Sequence, residues 1–485
     1  MNKALQPLRT LRRIVWGQPP DNPVARSYLF KLDAFVLSYV CLLYWANYLD
    51  RANLANAYVS GMQEDLQMKG NELNIINTCF YVGYIVAMVP HNLILLKVRP
   101  RYWISICGFC WAVLTLSMYK VHSFKQLCVI RFFEAMFEAV TFAGTHLILG
   151  TYYDEELLPM RTAVFTSSGL LGSLFSGVLQ AAIYKNMEDY NGIRGWRWLF
   201  IIDFLITIPI VIFGFFCFPD EPQISKPFYM TNEEHQLALE KKLSSKDKAN
   251  SDWNWVSICN RVFRNWHWYL FSFLWVLGGE NESFVTNSLM PLWLKYYNYS
   301  VEQRNHYPMG QYAVGVVATI ILALYIHAFG KGRHHWHMGI IIGIFTTIAA
   351  AVFAAKPNNT VAVFVSQYLS AVSFAGQTVF FSWANIVCIN DLQERAIVLA
   401  SMNMFSNAVN AWWSILFYGA DTAPEFKKGC WALLATAIAN IGVVVVIQVL
   451  QAKDKHQSHN DDGGVVAVVM DGESDEVELG GPIKV

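Results

Sequence analysis

Charge is scarce in this chain. Only 15% of its 485 residues are Asp, Glu, Lys or Arg, against about 25% in soluble domains. The 36 basic and 36 acidic residues cancel, so no bulk field favours a nucleic-acid partner. A disulfide framework is missing too: the nine cysteines fall mostly inside apolar runs. Cys107 and Cys110 form a lone CxxC, and without a second pair they read as helix packing rather than a zinc site. No HExxH, GxSxG or paired metal motif occurs, which argues against an enzyme and leaves no expected cofactor or metal. The first ~27 residues are basic and contain proline but no apolar core, so no cleavable signal peptide is expected.

Long apolar runs are what the chain has in quantity. Hydrophobic residues make up 54% of it, arranged in twelve candidate spans of the roughly 20 residues that a membrane helix needs. These lie at 30–50, 74–96, 102–120, 125–152, 161–185, 197–218, 266–294, 309–329, 334–355, 360–389, 395–419 and 429–451. The expected fold is an all-α membrane protein of two six-helix bundles. Residues 1–29 form an N-terminal segment, 30–218 the first bundle, 219–263 a polar central loop, 264–451 the second bundle and 452–485 an acidic, disordered tail. With both termini cytoplasmic, about 23 of the 36 Lys and Arg lie on the inner side and about 11 outside, the bias expected of inner loops.

The halves echo one another. "LPMRTAVFTSSGLLGSLFSG" follows the fourth span and "LQERAIVLASMNMFSNAVN" the tenth. A parallel repeat of six spans is the build of major facilitator carriers, with substrate bound near mid-membrane between the halves. Such a cavity suits alternating access better than a continuous pore.

Against this apolar background a few charges stand out. "YLDRANLANA" puts Asp50 beside Arg51 at the end of the first span. The two point about 100° apart on a helix, so each must find its own neighbour. In "RFFEAMFEAVTFAGTHLILG", Arg131, Glu134 and Glu138 share one helical stripe. Facing lipid, each charge would cost roughly 2.5–3.5 kcal/mol, so the stripe must face a cavity or another helix. Two carboxylates one turn apart repel, and burial disfavours their ionised forms, as suits proton carriers. Arg51 is read as the anchor for a substrate anion, with Arg131 as a second. Asp50, Glu138 and Glu134 are read as proton-coupling groups. The second half offers Glu280, Asn281 and Glu282 in "WVLGGENESF", Asn385 in "FFSWANIVC", and Asn403, Asn407 and Asn410 on one face of the eleventh span. Of these, Asn385, Asn407 and Asn410 are candidate substrate contacts. Because these spans carry no arginine, an anion would meet its positive charge in the first half and neutral hydrogen bonds in the second. Asp203 reads as part of an interfacial belt, Asp33 as solvated and His146 as a packing residue.

"YLDRANLANA", "RFFEAMFEA", "RGWRWLFIID", "WVLGGENESF" and "FFSWANIV" together resemble the anion:cation symporter group of the major facilitator superfamily, in its fungal allantoate permease branch. "CLLYWANYLDRANLANAYVSGM" and "DLQERAIVLASMNMFSNAVNAWWSILF" are similar to the pantothenate:proton symporters of that branch. The resemblance covers roughly residues 28–452. It implies proton-driven uptake of pantothenate, a small carboxylate, across the plasma membrane, by a chain acting as a monomer with protons, substrate and lipid as its partners. Nicotinate, biotin, allantoate or a short peptide are the alternative cargoes, and a receptor that signals without transport is the alternative class. The D-R-x-N motif implies that Arg51 binds the substrate carboxylate and Asp50 takes part in coupling; the R-x6-E-A motif implies the same coupling role for Glu138. One departure is visible. The loop after the second span reads "LLKVRPRYW" and lacks the glycine and acid of the G-x-x-x-D-R-x-G-R-R motif that supplies a cytoplasmic gating pair.

Overall fold

Backbone amides in lipid have no water to bond, so each span must satisfy them along its own helix. The computed structural model describes residues 20–471, apart from 70–71, 188–189, 221, 223, 247–253, 287–288, 300, 330–333 and 419–423. Among these residues there is no strand. Six rods form the first half. Helix α1 is Ser38–Ala57, led in by Pro23–Leu32 and a π-helical stretch at Asp33–Leu37. Next come α2 at Glu72–Leu95 and α3 at Pro100–Ser117. Helix α4 runs Phe124–Glu138 and, past a turn at Ala139, Val140–Tyr152. The half closes with α5 at Leu158–Met187 and α6 at Gly195–Cys217. Six more form the second: α7 at Trp266–Thr286, α8 at Val301–Ala328, α9 at His335–Ala355, α10 at Thr360–Ser370 and Ala375–Val387 joined by a 3-10 turn, α11 at Leu392–Phe417 and α12 at Lys427–Asp471.

The helix starts are written locally. The Asn22 side chain caps the Val24 amide ahead of Pro23, Pro100 opens α3, Ser123 caps α4 and Asn359 caps α10, as the orphan amides of a first turn require. Seven helices are apolar and long enough to cross a membrane on composition alone: α1, α2, α3, α6, α8, α9 and α12. The other five, α4, α5, α7, α10 and α11, carry polar side chains that are buried against neighbouring helices. The polar central stretch contains two helices, Asn232–Lys246 and Trp255–Arg264. Helix α12 continues past position 452, where the sequence reading begins a disordered tail; 472–485 lie outside the described residues.

Helix partners repeat at an offset of six. α1 packs on α5 as α7 packs on α11, and α3 packs on α6 as α9 packs on α12. The halves meet through α2 against α11 and α5 against α8. Small residues permit the closest approaches: a Cβ on Gly83 would collide with the Phe132 carbonyl of α4, and one on Gly172 with the Trp45 carbonyl of α1.

Hydrogen bonds between the halves concentrate at one end, where α2, α4 and α10 finish and α5 and α11 begin. Asn92 donates to the Ala396 carbonyl at 3.0 Å, and Asn385 to the His146 carbonyl at 2.8 Å. Thr166 and Thr378 share a bond of 2.7 Å. Arg395 donates to the Gly150 carbonyl at 3.0 Å and to Thr151 at 3.1 Å, placing its cation on the negative end of α4. Arg161, at the matching place in the first half, clasps Asp33 at 3.1 and 3.3 Å. Asp33 is thus an ion-pair partner rather than a solvated residue. Arg161 of "LPMR" and Arg395 of "LQER" therefore both brace this end. The loop "LLKVRPRYW" also finds an acid elsewhere: Arg101 and Arg99 approach Asp220, just beyond α6, at 3.7 and 3.9 Å.

At the same end, Lys31 donates to Glu234 of the central stretch at 2.7 Å. Burial pushes the Glu234 carboxyl up, but bonds from Lys31, Ser27 and the Thr231 amide outweigh it and hold the group down at about 2. A depressed carboxyl stabilises the fold above its unfolded value, near 4.5, and loses that contribution only as pH falls toward 2. Glu234→Gln should therefore cost about 1 kcal/mol, read as a lower melting midpoint in detergent, and by the same amount at pH 7 and pH 5. A penalty that vanishes at pH 5 would contradict this ion pair.

Candidate substrate and proton site

The turn at Ala139 interrupts α4 directly after Glu138, at the level where α4 faces the polar stretch of α1. Here the structure brings Asp50, Arg51, Arg131, Glu134 and Glu138 into one cluster. Arg51 Nε donates to Glu138 Oε2 at 3.2 Å. Arg131 donates to Glu134 at 2.7 Å and lies 3.7 Å from Asp50. Asp50 Oδ2 also accepts from Trp111 at 2.9 Å and lies 3.3 Å from the Thr115 hydroxyl. That hydroxyl is 2.6 Å from Glu134. It has one proton to donate, so it serves Asp50 or Glu134 but not both at once.

The two arginines differ in access. The Arg131 side chain is 2% exposed, whereas Arg51 keeps 26% of its surface open. Arg51 lies over Tyr84 at 4.6 Å, Phe80 at 5.1 Å and Tyr48 at 5.7 Å. These rings stabilise a cation through their negative faces. Arg51 NH2 has no hydrogen-bond partner, and neither has Glu138 Oε1 or Asp50 Oδ1. The unfilled bonds thus point to Arg51 as the group that would meet an anion, with Arg131 held by Glu134 and Asp50. Glu134, read from its spacing alone, is fully buried within the cluster.

The second-half amides are placed differently from one another. Asn385 is buried at the closed end, its amide on the His146 carbonyl. Asn407 bonds within α11, to the Asn403 carbonyl and side chain at 2.7 and 2.9 Å. Asn410 is half-buried, and Asn403 reaches Tyr84 beneath Arg51. His146 is packed among Phe142, Phe165 and Phe381, as a packing histidine should be. Two findings correct the sequence reading. Asp203 is 1% exposed rather than interfacial, and accepts from Asn53 at 2.9 Å, which in turn accepts from Ser176. The second half also brings acid to the centre: Glu280 and Glu282 are buried, and Gln377 donates to Glu282 at 2.8 Å. Trp111, Thr115, Phe80 and Tyr84 were missed because aromatic and hydroxyl side chains in an apolar run look like ordinary packing.

Asp50, Glu134 and Glu138 offer three carboxylate oxygens within 4.8 Å of one another, a spacing that a divalent ion would accept. Two guanidinium groups already supply positive charge to that cluster. His267, Cys388 and Glu394 form a second such group, in which His267 bonds Glu394 directly at 2.9 Å.

A profile described as Major Facilitator Superfamily matches residues 40–414, which runs from α1 into α11 and includes the whole cluster. The chain belongs to the major facilitator superfamily. It is a multi-pass membrane carrier rather than an enzyme. It is 53% identical over 437 residues to the pantothenate transporter FEN2 of Saccharomyces cerevisiae, covering 88% of this chain and 85% of that one. It is 39% identical to the pantothenate transporter liz1 of Schizosaccharomyces pombe, over 90% and 84% of the two chains. A vitamin H transporter of Saccharomyces cerevisiae is 28% identical, over 89% and 73%. Among solved structures, the proton:xylose symporter XylE matches with a TM-score of 0.67 at 10% identity, over 87% of this chain and 95% of that one. The E. coli fucose:proton symporter FucP matches at 0.61 and 13% identity, over 88% and 99%. These last two likenesses speak for the superfamily fold.

The two arginines of this carrier should respond differently to the same change. Arg131→Gln leaves Asp50 and Glu134 buried without their cation, which should cost about 3–5 kcal/mol and deplete folded protein in detergent. Arg51 is partly exposed, so Arg51→Gln should deplete folded protein less than Arg131→Gln while uptake is lost. An Arg131→Gln protein as heat-stable as the parent would contradict the sequestered pair.

Proposed function

We propose that the chain imports pantothenate with protons across the plasma membrane by alternating access, acting as a monomer. The observation that carries this reading is 53% identity across most of the chain to a pantothenate transporter, with a partly open arginine paired to a buried carboxylate at the centre. Residues 30–218 and 264–451 act as the two moving bundles, and both termini lie in the cytoplasm. In that orientation the bonded end is the cytoplasmic one, so this conformation opens outward.

The coupling follows from competition for Arg51. While Glu138 is ionised it holds the guanidinium at 3.2 Å. An incoming carboxylate must displace it, leaving two anions beside one cation. At an effective dielectric of about 20, unit charges 4 Å apart interact by about 4 kcal/mol, or about three decades in affinity. A proton on Glu138 removes that penalty, so proton and substrate favour one another's binding. Asp50 shares the burden through Arg131 and Thr115. The loaded carrier rocks inward, breaking the bonds of Arg395, Asn385 and Asn92 across the halves. In the more alkaline cytosol Glu138 loses its proton, reclaims Arg51 and expels the anion.

The direct test is uptake of labelled pantothenate by yeast lacking its own pantothenate carrier. Uptake should be several-fold higher at external pH 5 than at pH 7, and a protonophore should abolish accumulation. Biotin, the cargo favoured by the 28% identity to a vitamin H transporter, should not compete. Surface expression without pantothenate uptake, or uptake indifferent to pH, would overturn the reading.

The cytoplasmic latch gives a second expectation. Arg395→Ala removes the cation from the end of α4 and should bias the carrier inward. A thiol probe at an outward-facing cavity position should then react several-fold more slowly. Unchanged labelling would show that Arg395 does not hold this end shut.

A further inference from the structure

Across the two halves from Arg51 lies a buried carboxylate with no ion pair among the described residues. Glu282 on α7 is 8% exposed, and Gln377 on α10 donates to its Oε2 at 2.8 Å. Its other oxygen, Oε1, is buried with no hydrogen-bond partner. Among the described residues no Lys, Arg or His forms an ion pair with it. It lies within electrostatic reach of Tyr48 on α1, the ring that flanks Arg51 at 5.7 Å. A buried acceptor left unfilled costs about 1–3 kcal/mol. The Gln377 bond fixes one oxygen and leaves the other as an acceptor awaiting a donor.

We propose that Glu282, positioned by Gln377, reads the hydroxyl and amide donors at the non-carboxylate end of the substrate while Arg51 takes the carboxylate. The assignment rests on the pantothenate reading above and adds to it the residue that selects the neutral end. A molecule with an anionic head and a hydroxylated tail would meet the partly exposed Arg51 guanidinium with the one and the unfilled Glu282 acceptor with the other. An anion lacking hydroxyls leaves Oε1 unfilled, and a site built to bond a hydroxyl discriminates strongly against a ligand without one.

The experiment compares inhibition of labelled uptake by two competitors, pantothenate itself and an analogue with its terminal hydroxyl replaced by hydrogen. In the parent chain the analogue should compete at least tenfold more weakly. In Glu282→Ala the two should compete equally, through loss of affinity for pantothenate alone, while pH-driven accumulation persists. Glu282→Gln keeps the size of the side chain and should shrink the hydroxyl preference at least threefold, and Gln377→Ala should act in the same direction. A hydroxyl preference of parental size in all three variants overturns the assignment. So does an equal loss of affinity for both competitors, which marks a structural role, or a loss of pH dependence with the preference intact, which marks a proton site. A parent chain that takes up no pantothenate overturns the cargo reading and this assignment with it, and is told apart by the absence of labelled flux before any variant is made.

Discussion

Three carboxylates and two guanidinium groups are packed into one cluster between α1 and α4, and the numbers do not match. With Asp50, Glu134 and Glu138 all ionised, Arg51 and Arg131 leave one negative charge over. Uncompensated charge at membrane depth is costly, and Asp203, buried on α6 within reach of Asp50, adds a further carboxyl, so the centre holds more acid than base. The division of labour follows from access. Arg131 is sealed against Glu134 and Asp50, while Arg51 is partly exposed and, among the described residues, forms its ion pair with Glu138. On the proposed reading, a substrate anion and a proton are linked through Glu138, because both act on the pairing of the same guanidinium.

The surrounding fold serves that linkage. Aromatic rings on α1 and α2 surround the Arg51 cation. Trp111 and Thr115 on α3 bring neutral donors to Asp50 and Glu134, so the cluster is braced from three helices. At the far end of the bundles, Arg395, Asn385 and Asn92 bind backbone carbonyls of the opposite half. Such bonds break and reform as units when rigid bundles rock, which is what alternating access asks of a gate. The acid missing from the loop motif after α2 is supplied by Asp220.

Much of this was legible in the sequence because membrane depth makes charge informative. The twelve spans followed from apolar runs, and the stripe of Arg131, Glu134 and Glu138 followed from helical spacing. The opposed directions of Asp50 and Arg51 followed from adjacency on a helix, and each does meet a different neighbour. What could not be read was partner choice across helices. Nothing in the pattern said that Asp203 turns inward to Asn53, that Asp33 meets Arg161, or that Asn385 closes one end. Glu282 was visible as a charge, but its lack of a cation became apparent only when α7 and α10 were placed side by side.

The central claim, that one guanidinium couples anion to proton through Glu138, is tested most directly in proteoliposomes with no imposed gradient. Adding pantothenate outside should acidify the lumen in step with labelled entry. In Glu138→Gln and Asp50→Asn, exchange of labelled for unlabelled pantothenate should continue while lumenal acidification falls away. Acidification per pantothenate that is unchanged in both variants would contradict the account.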